Sequence, residues 1–426
     1  MSESATQTPT LNAPVVAREN PLTRSVAGMI GIGFLTLIML LSFISAPWTF
    51  GWARTPDGTV LNTARYEAGN PQQARVQPSW WPAHADTIDR LIETAPPEHL
   101  EPALEHVARQ FGLTPNAVLA STDPDVNAAI IERLGDAWPR FVVGSDALGR
   151  SLGVRLLAGG TISLGIGLAA AFISVLIGTL YGATAGYAGG RLDAMMMRIV
   201  DVLYGLPYIL LVVLIAVAAD GMIDRFQRAA ISNRTADRIN YIERQIAIEP
   251  QASPDRVAQF EADALARFGT GELSNRQRTR IDVLALLLAI GGVSWLTMAR
   301  VVRGQVLSLK AQPFVEAARA IGAPVHWIFL RHLLPNLLGP IIVYTTLTVP
   351  QAILQESFLS FLGIGVKPPL PSWGNLAADG LSELNRHRSH WWLLFFPCLM
   401  LGATLLALNF VGEGLREAFD PRRAKR

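Results

Sequence analysis

The sequence is poor in charged residues, which make up 16% of its 426 residues, whereas about 25% is usual in soluble proteins. Six long apolar runs contain no Asp, Glu, Lys, Arg or His at all. A hydrocarbon core of about 30 Å requires about 20 helical residues to cross it, so the runs predict six membrane-spanning helices and exclude an ordinary soluble fold. The runs are Val26–Trp48, Thr161–Tyr187, Val202–Ala219, Val283–Ala299, Leu337–Gln355 and Trp391–Gly412.

Other absences exclude other functions. The single cysteine, Cys398, lies within the last apolar run, so no disulfide can form within the chain. The sequence has neither the Gly-rich phosphate loop of nucleotidases nor a His-Glu-x-x-His zinc motif. The net charge of +2 provides no basic surface for nucleic acid. We therefore expect no catalytic residue, no metal site, no cofactor bound by this chain and no nucleic-acid partner.

The distribution of Lys and Arg predicts the orientation in the membrane, because cytoplasmic loops are enriched in both residues. The segment between the fourth and fifth runs has five basic residues and one acid, Glu316. The C-terminal tail adds five more basic residues, from Arg416 to Arg426. The pattern favours a multi-pass membrane protein with both termini in the cytoplasm.

The polar segments between the runs divide the chain into parts. Residues 1–25 are expected to form a cytoplasmic tail, followed by a first transmembrane helix over 26–48. Residues 49–160 form an external insert, predicted as a small subdomain or as a cap that needs a partner. Apolar residues at helical spacing predict two short amphipathic helices in it, over Pro96–Gly112 and Pro124–Trp138. Helices two and three occupy 161–219, and 220–280 form an external helical hairpin. Residues 281–426 hold helices four to six, a cytoplasmic loop over 300–336 and the C-terminal tail.

The loop between the fourth and fifth runs is the most informative polar segment. Pro313 is typical of a helix start, and Gly322 followed by Pro324 is typical of a helix end. The pattern predicts a short helix over Phe314–Ile321, with an apolar face at helical spacing, and a second short helix that ends near Pro335. Amphipathicity alone leaves two interpretations open: this helix docks in a groove of another protein, or it lies on the membrane surface.

Several motifs resemble one transporter family. The run Glu316-Ala-Ala-Arg-Ala-Ile-Gly322, followed by Leu334-Pro335, resembles the EAA loop of ABC importer permeases. Three other stretches resemble elements of the oligopeptide, dipeptide and nickel branch of that family, specifically its second, C-type permease. They are Gly144-Ser-Asp-Ala-Leu-Gly-Arg150, Arg198-Ile-Val-Asp201 with Leu206-Pro207, and Ser360-Phe-Leu-Gly-Ile-Gly-Val-Lys-Pro-Pro-Leu-Pro-Ser-Trp-Gly374. One departure is Ser151, which stands where the family usually has Asp.

The resemblance implies a fold, a mechanism and a set of partners. The fold would be the all-α, six-helix permease fold of type I ABC importers, with helical external inserts. The chain would move a peptide-like solute across the inner membrane, using ATP and magnesium bound by two cytoplasmic ATPase subunits. A second permease subunit and a periplasmic substrate-binding protein would complete the assembly.

The resemblance also implies which residues couple the permease to the ATPase. In the family, the EAA loop is the coupling helix that sits on the ATPase subunit, which assigns this role to Glu316, with a partner arginine as the expected contact. Gly322 is expected to form the turn that ends the helix. The remaining members of the predicted ATPase-coupling set are Phe314, Ala317 and Ala318.

A weaker set of residues is predicted to lie along the pathway or at an external gate. Glu356, about 20 residues beyond Leu337, is placed at the external interface, either as a carboxylate in water or as part of the external mouth. Trp373 is interpreted as an interfacial anchor or as part of a gate. Pro207 and Pro350 interrupt two apolar runs, as hinges in the pathway or as plain helix geometry.

Two other classes of protein remain as alternatives to an ABC importer permease. An ion-coupled secondary carrier normally holds an ionisable residue in mid-span, and the six runs contain none. A membrane scaffold or receptor built around the external inserts is the other alternative, but the short, motif-bearing cytoplasmic loops argue against it.

Overall fold

The structure is a computed structural model that describes residues 26–54, 58–82, 85–134, 138, 140–384 and 389–419. The predicted tail over 1–25 and the last residues of the C-terminal tail, from 420 onward, lie outside the described residues. The described chain is almost entirely helical, as the sequence predicts, with one two-stranded antiparallel sheet. Its strands are β1 (Trp52–Arg54) and β2 (Val60–Ala64).

Fifteen α-helices follow the chain order in the described part of the molecule. The first five are α1 (Val26–Thr49), α2 (Ala85–Thr94), α3 (Pro97–Phe111), α4 (Pro115–Leu119) and α5 (Pro124–Leu134). The next five are α6 (Leu152–Ala188), α7 (Gly190–Tyr204), α8 (Tyr208–Ile248), α9 (Pro254–Phe268) and α10 (Asn275–Lys310). The last five are α11 (Pro313–Ala320), α12 (Val325–Ile328), α13 (Leu334–Phe361), α14 (Trp373–Ser382) and α15 (Trp392–Phe419).

Five helices of the described chain are long and apolar enough to cross a membrane, namely α1, α6, α10, α13 and α15. The bent pair α7 and α8, whose axes meet at 89°, is a sixth candidate span. The third apolar run is therefore a broken helix rather than a straight one. The break lies at Gly205–Pro207, where Pro207 precedes the first residue of α8, because proline readily starts a helix but cannot continue one.

Helices α6 and α10 pack closely because small residues line their contact. A Cβ on Gly182 would overlap the carbonyl oxygen of Ala299, and one on Gly178 would meet the side chain of Met298. Small residues of this kind let two helix backbones approach in lipid, where no hydrophobic effect drives their association. The apolar core of the bundle continues from this contact into α8 and α13.

The bundle has two different ends. We call the end at which α6, α10 and α15 begin the insert end, because both long polar segments emerge there. The opposite end, where α10 stops and α13 starts, is called the loop end and bears α11 and α12. Helices α6 and α10 both end at the loop end, because Lys310 Nζ at the end of α10 donates to the Tyr187 carbonyl near the end of α6, at 2.5 Å.

The first insert is a folded subdomain with its own apolar core, which decides between the two interpretations of this segment. Helices α2 to α5 enclose Ile88, Val107, Val118 and Ile130, all essentially buried. The two amphipathic helices that the sequence predicts here are α3 and α5. The subdomain therefore buries its apolar face without a partner.

The second insert is a helical hairpin, but its first arm is not a separate helix, because it continues the third span. Helix α8 runs without interruption from the break at Pro207 to Ile248, 41 residues in all. The chain then turns and α9 folds back against it, with the rings of Tyr241 and Phe268 6.0 Å apart. The hairpin was predicted from residue 220 onward, whereas the structure continues it directly from the third span.

Candidate functional site

The loop end holds a short helix, α11, whose ends follow from its sequence. Pro313 occupies the first turn, and Glu316 is the acidic residue of that turn. The helix ends where Gly322 takes a φ of +80°, and the Ala323 amide donates back to the Ala318 carbonyl at 3.1 Å. Nothing lies within 4 Å of a Cβ built on Gly322, so the position requires glycine for its backbone conformation alone.

The second short helix predicted in this loop is not a separate element. Helix α12 passes through a π-helical turn over Phe329–Leu333 directly into α13. Pro335 does not end it, because proline in the first turn of a helix has no amide that the helix would use. The prediction of a helix that stops near Pro335 is wrong, and the loop is joined rigidly to the fifth span.

Buried side chains attach α11 to the bundle. Val315 and Ala318 are buried in one cluster with Ile328, Leu333 and Leu337, and the same cluster includes residues of α6 and α10. A displacement of α11 would therefore be carried to three spans. Ala318 faces this core, so its predicted membership of the docking face is wrong.

The opposite side of α11 and α12 forms an exposed apolar surface, which we call the loop-end patch. It combines large side chains of α11, of the residue that follows α11, of α12 and of the π-helical turn after α12. The most exposed is Ile321, at 81%. Of the predicted coupling residues, Phe314, Glu316, Ala317 and Gly322 are exposed on the same helix and its end. The patch is formed by Phe314, Ile321, Val325, Trp327 and Leu330.

Sequence reasoning missed the part of this patch that follows Gly322. Val325, Trp327 and Leu330 are exposed, and the ring of His332 lies 4.9 Å from Trp327 and 6.0 Å from Phe314. The sequence did indicate a patch, because the loop over 300–336 is predicted to lie in water and yet contains several large apolar residues. It did not show which of them faced outward.

Ion pairs fix the spans that surround the loop end. Arg303 of α10 forms a two-pronged pair with Asp193 of α7, at 2.5 and 2.6 Å. Arg300 contacts Asp201, the acid of the quoted Arg198–Asp201 motif, at 2.8 Å. Two-pronged Arg–carboxylate pairs fix orientation as well as distance. These two contacts hold α7 against α10 on the N-terminal side of the break at Gly205–Pro207.

The structure does not place Glu356 in water or at an external mouth. Its side chain is fully buried and accepts hydrogen bonds from Ser360 at 2.7 Å and Ser357 at 3.2 Å. The hydroxyls of Ser163 of α6 and Ser372, at the start of α14, also lie close to this carboxylate. The prediction is wrong because α14 and α6 cover this side of α13, which helix length alone does not reveal.

Trp373 is also buried rather than interfacial. Its indole nitrogen donates to the Leu156 carbonyl at 3.1 Å, and its amide donates to Ser163 Oγ at 3.2 Å. Pro350 is buried within α13, which continues through it without a break. Of the four residues assigned to the pathway, only Pro207 lies at a discontinuity of the backbone.

A polar cavity lies beside that discontinuity. The Tyr208 hydroxyl is 2.7 Å from Ser294 Oγ of α10 and accepts from Gln355 Nε2 of α13 at 2.8 Å. The cavity has a volume of about 460 Å³, and Thr297 and Gln351 also line it. Sequence reasoning missed it because only charged residues were sought within the apolar runs. The spacing of four between Gln351 and Gln355 was the available signal.

No group of three or more His, Cys, Asp or Glu side chains in the described ranges is arranged to hold a metal ion. The arrangement as a whole comprises six spans, one of them broken at a polar cavity, and an exposed loop attached to three of them. These are the parts expected of a channel or carrier subunit.

The chain is a multi-pass membrane permease. Residues 174–425, more than half of the chain, match the family described as "Binding-protein-dependent transport system inner membrane component", and the chain belongs to that family. The fold class and the C-type permease resemblance predicted from the motifs are confirmed.

Curated relatives agree with this family. The chain is 39% identical to the oligopeptide transport system permease protein OppC of Haemophilus influenzae, over 66% of this chain and 70% of the relative. It is 37% identical to the dipeptide transport system permease protein DppC of Bacillus subtilis, over 73% and 75% of the two chains. It is also 37% identical to OppC of Escherichia coli, over 70% and 78%.

Proposed function

We propose that this chain is one permease half of an importer for peptide-like solutes, driven by ATP hydrolysed on separate subunits. The observation that carries the proposal is the loop-end patch, an apolar surface exposed on one side of α11 and fixed to three spans on the other. A surface of this kind suits a partner that pushes or pulls on the bundle. The names of the relatives support a peptide as the solute.

In this proposal the loop end is cytoplasmic and each ATPase subunit carries ATP and magnesium. Glu316, early in α11, complements the positive end of the helix dipole and can contact an arginine of the ATPase. The Lys and Arg bias near the spans supports this orientation. A second permease would complete the pathway, and a periplasmic binding protein would deliver solute to the insert end.

An ion-coupled carrier finds less support. Glu356 is a buried ionisable residue, but its hydrogen-bond partners in the described structure are serine hydroxyls. A proton relay needs successive ionisable groups. The serines stabilise the carboxylate in place and offer it no second titratable group.

Charge reversal at the patch tests the coupling role. We expect Glu316→Lys, in the assembled transporter, to reduce peptide uptake at least tenfold and to weaken co-purification of the ATPase subunits. Substrate capture by the binding protein should be unchanged. Glu413→Lys, the same reversal at an exposed position near the loop end of α15, is the matched control. Wild-type uptake by Glu316→Lys would favour the alternative that α11 lies on the membrane surface.

Cysteine labelling tests the orientation in a Cys398→Ser background, because Cys398 is exposed. Glu105→Cys and Arg256→Cys, in the two inserts, should react with an impermeant maleimide once the outer membrane is permeabilised. Ala320→Cys, exposed on α11, should react only after the inner membrane is opened. Labelling of Ala320→Cys in intact cells would overturn both the orientation and the ATPase-docking role.

A further inference from the structure

Two uncharged polar side chains are exposed on the bundle at mid-span depth. Thr297 of α10 and Gln351 of α13 are both exposed and both line the polar cavity. Ser294, in the same wall, lies twelve residues after Asp282 and six before Arg300. With a rise of 1.5 Å per residue, these charged levels are about 18 Å and about 9 Å away along the helix. The cavity therefore lies at the depth of the hydrocarbon core.

A side-chain amide at that depth is not compatible with lipid contact. Placing an amide in an apolar medium without a hydrogen-bond partner costs roughly 2–7 kcal/mol. A threonine hydroxyl can bond back to its own helix, but a glutamine amide has two donors and an acceptor to satisfy. Gln351 is therefore expected to face water or a polar ligand rather than acyl chains.

The cavity continues into a second, apolar one. This neighbour has a volume of about 300 Å³ and shares Tyr208, Gln351 and Gln355 with the polar cavity. Its other lining residues are Ile209, Val212, Leu354, Phe358 and Leu359. Small-molecule sites typically have such volumes, with a few polar groups beside an apolar wall.

The lining of the polar cavity determines which chemistry it accepts. Among the described lining residues, the polar side chains are hydroxyls and amides, and none is charged. Hydroxyls and amides donate and accept hydrogen bonds, as peptide amides do. A carboxylate or ammonium group of the solute would meet no oppositely charged side chain among these lining residues. The site suits uncharged amides next to an apolar substituent.

We propose that these joined cavities are a solute-binding site on the transport pathway, in which Tyr208, Gln351 and Gln355 bind backbone amides of a peptide and the apolar cavity receives one of its uncharged side chains. This inference rests on the proposed function, because it takes the solute to be a peptide. It goes further in placing the site at the broken span and in predicting selectivity for uncharged side chains.

Cysteine accessibility tests the site independently of transport. In the assembled complex with Cys398→Ser, Gln351→Cys and Thr297→Cys should react with a charged, water-soluble methanethiosulfonate at least tenfold faster than Leu406→Cys. Leu406 is exposed on α15 and serves as the lipid-facing control. A casein hydrolysate filtered to short peptides should slow the reaction at both test positions.

Uptake supplies the second measurement. Gln355→Leu should reduce uptake of trialanine at least tenfold while stimulation of ATP hydrolysis by the binding protein is retained. Thr345→Val, whose hydroxyl bonds to the Ile341 carbonyl of its own helix, is the matched control and should transport normally. Trialanine should also compete better than trilysine for uptake by the wild-type complex.

Each part of the inference can fail separately. Reaction of Gln351→Cys no faster than Leu406→Cys would overturn a water-accessible site. Fast reaction without protection by the hydrolysate would overturn binding of peptide amides. Failure of the proposed function looks different, because the wild-type complex would then take up no peptide whatever the reactivity of these cysteines.

Discussion

The insert end and the loop end of the bundle differ in how their polar and apolar side chains are placed. At the insert end, charged and polar groups satisfy one another inside the protein, as in the contact of Asp146 with Arg150 and Arg155 at 2.7 Å each. At the loop end, ion pairs hold the spans together, but large apolar side chains such as Ile321 remain uncovered. In the proposed function a partner covers the loop end, whereas the Asp146 carboxylate at the insert end is satisfied within the chain.

If this comparison is correct, variants at the insert end should lower stability, and variants in the loop-end patch should lower transport with little loss of stability. The expected effect on the thermal unfolding of the purified chain decreases from Asp146 through Glu356 and Glu383 to Gly322.

The largest effect is expected for Asp146→Ala. The Asp146 carboxylate contacts two guanidinium groups and also accepts from the amides of Leu148 and Arg150. Removing one partner of a buried ion pair typically costs about 3–5 kcal/mol, and the buried Arg155 would be left with its longer contact to Asp379, at 3.6 Å. Glu105→Ala, in an exposed pair with Arg109, should cost no more than about 1 kcal/mol. Equal melting temperatures for the two variants would show that the buried ion pairs of the insert end add no more stability than an exposed pair.

The next effect is expected for Glu356→Leu, which leaves the surrounding serine hydroxyls without their shared acceptor. Unsatisfied buried polar groups cost about 1–3 kcal/mol, so the melting temperature should fall clearly. Glu356→Gln keeps the side-chain volume and one acceptor oxygen and should lose less. Glu101→Leu, exposed on α3, is the control. A loss of transport in Glu356→Gln at normal stability would instead indicate a role in the pathway.

A smaller effect is expected for Glu383→Gln, and it should depend on pH. The Arg75 guanidinium, which contacts Glu383 at 2.7 Å, lowers the pKa of this carboxyl. A lowered pKa in the folded state gives stability that is present above the ordinary glutamate pKa, about 4.3, and is lost as the pH falls below it. The wild type should therefore lose more stability than Glu383→Gln as the pH falls from 5 to 3, by at most about 1 kcal/mol. Parallel unfolding curves would contradict this.

The smallest effect on stability, and a large one on transport, is expected for Gly322→Val. A β-branched residue at a φ of +80° costs on the order of 1–3 kcal/mol locally, which displaces the end of α11 without unfolding the spans. Uptake should fall at least tenfold. Gly304→Val is the matched control, because Gly304 lies within α10 and a Cβ there also meets open space. Normal uptake by Gly322→Val would remove the reason for regarding the loop end as incomplete.

Local chemistry explains what could be predicted from the sequence. Uncharged runs gave the spans, Pro313 and Gly322 gave the limits of α11, and apolar periodicity gave α3 and α5. Each of these depends on residues that are close together along the chain.

The errors concern contacts between distant residues. The carboxylate of Glu356 meets Ser163, nearly 200 residues away in the sequence, and Ala318 turns toward a core built from several helices. The direct continuation of the third span into the second insert was missed for another reason. The sequence changes from apolar to charged at Asp220, and a helix backbone can pass through such a change because its hydrogen bonds do not depend on side-chain polarity.

That continuous helix has a mechanical consequence. Lys367 holds α8 at Asp220 with a contact of 2.7 Å, which leaves about 18 Å of helix on the side of Tyr208 and about 42 Å on the side of Ile248. Helix α8 is thus a lever with its fulcrum at Asp220, where the sequence changes from apolar to charged, and with its short arm at the cavity wall. A force on the tip of the hairpin would therefore move Tyr208 by less than half the distance and with more than twice the force. The short arm is packed in the core of the bundle through Val212 and Ala216, so the movement would pass to the spans around it.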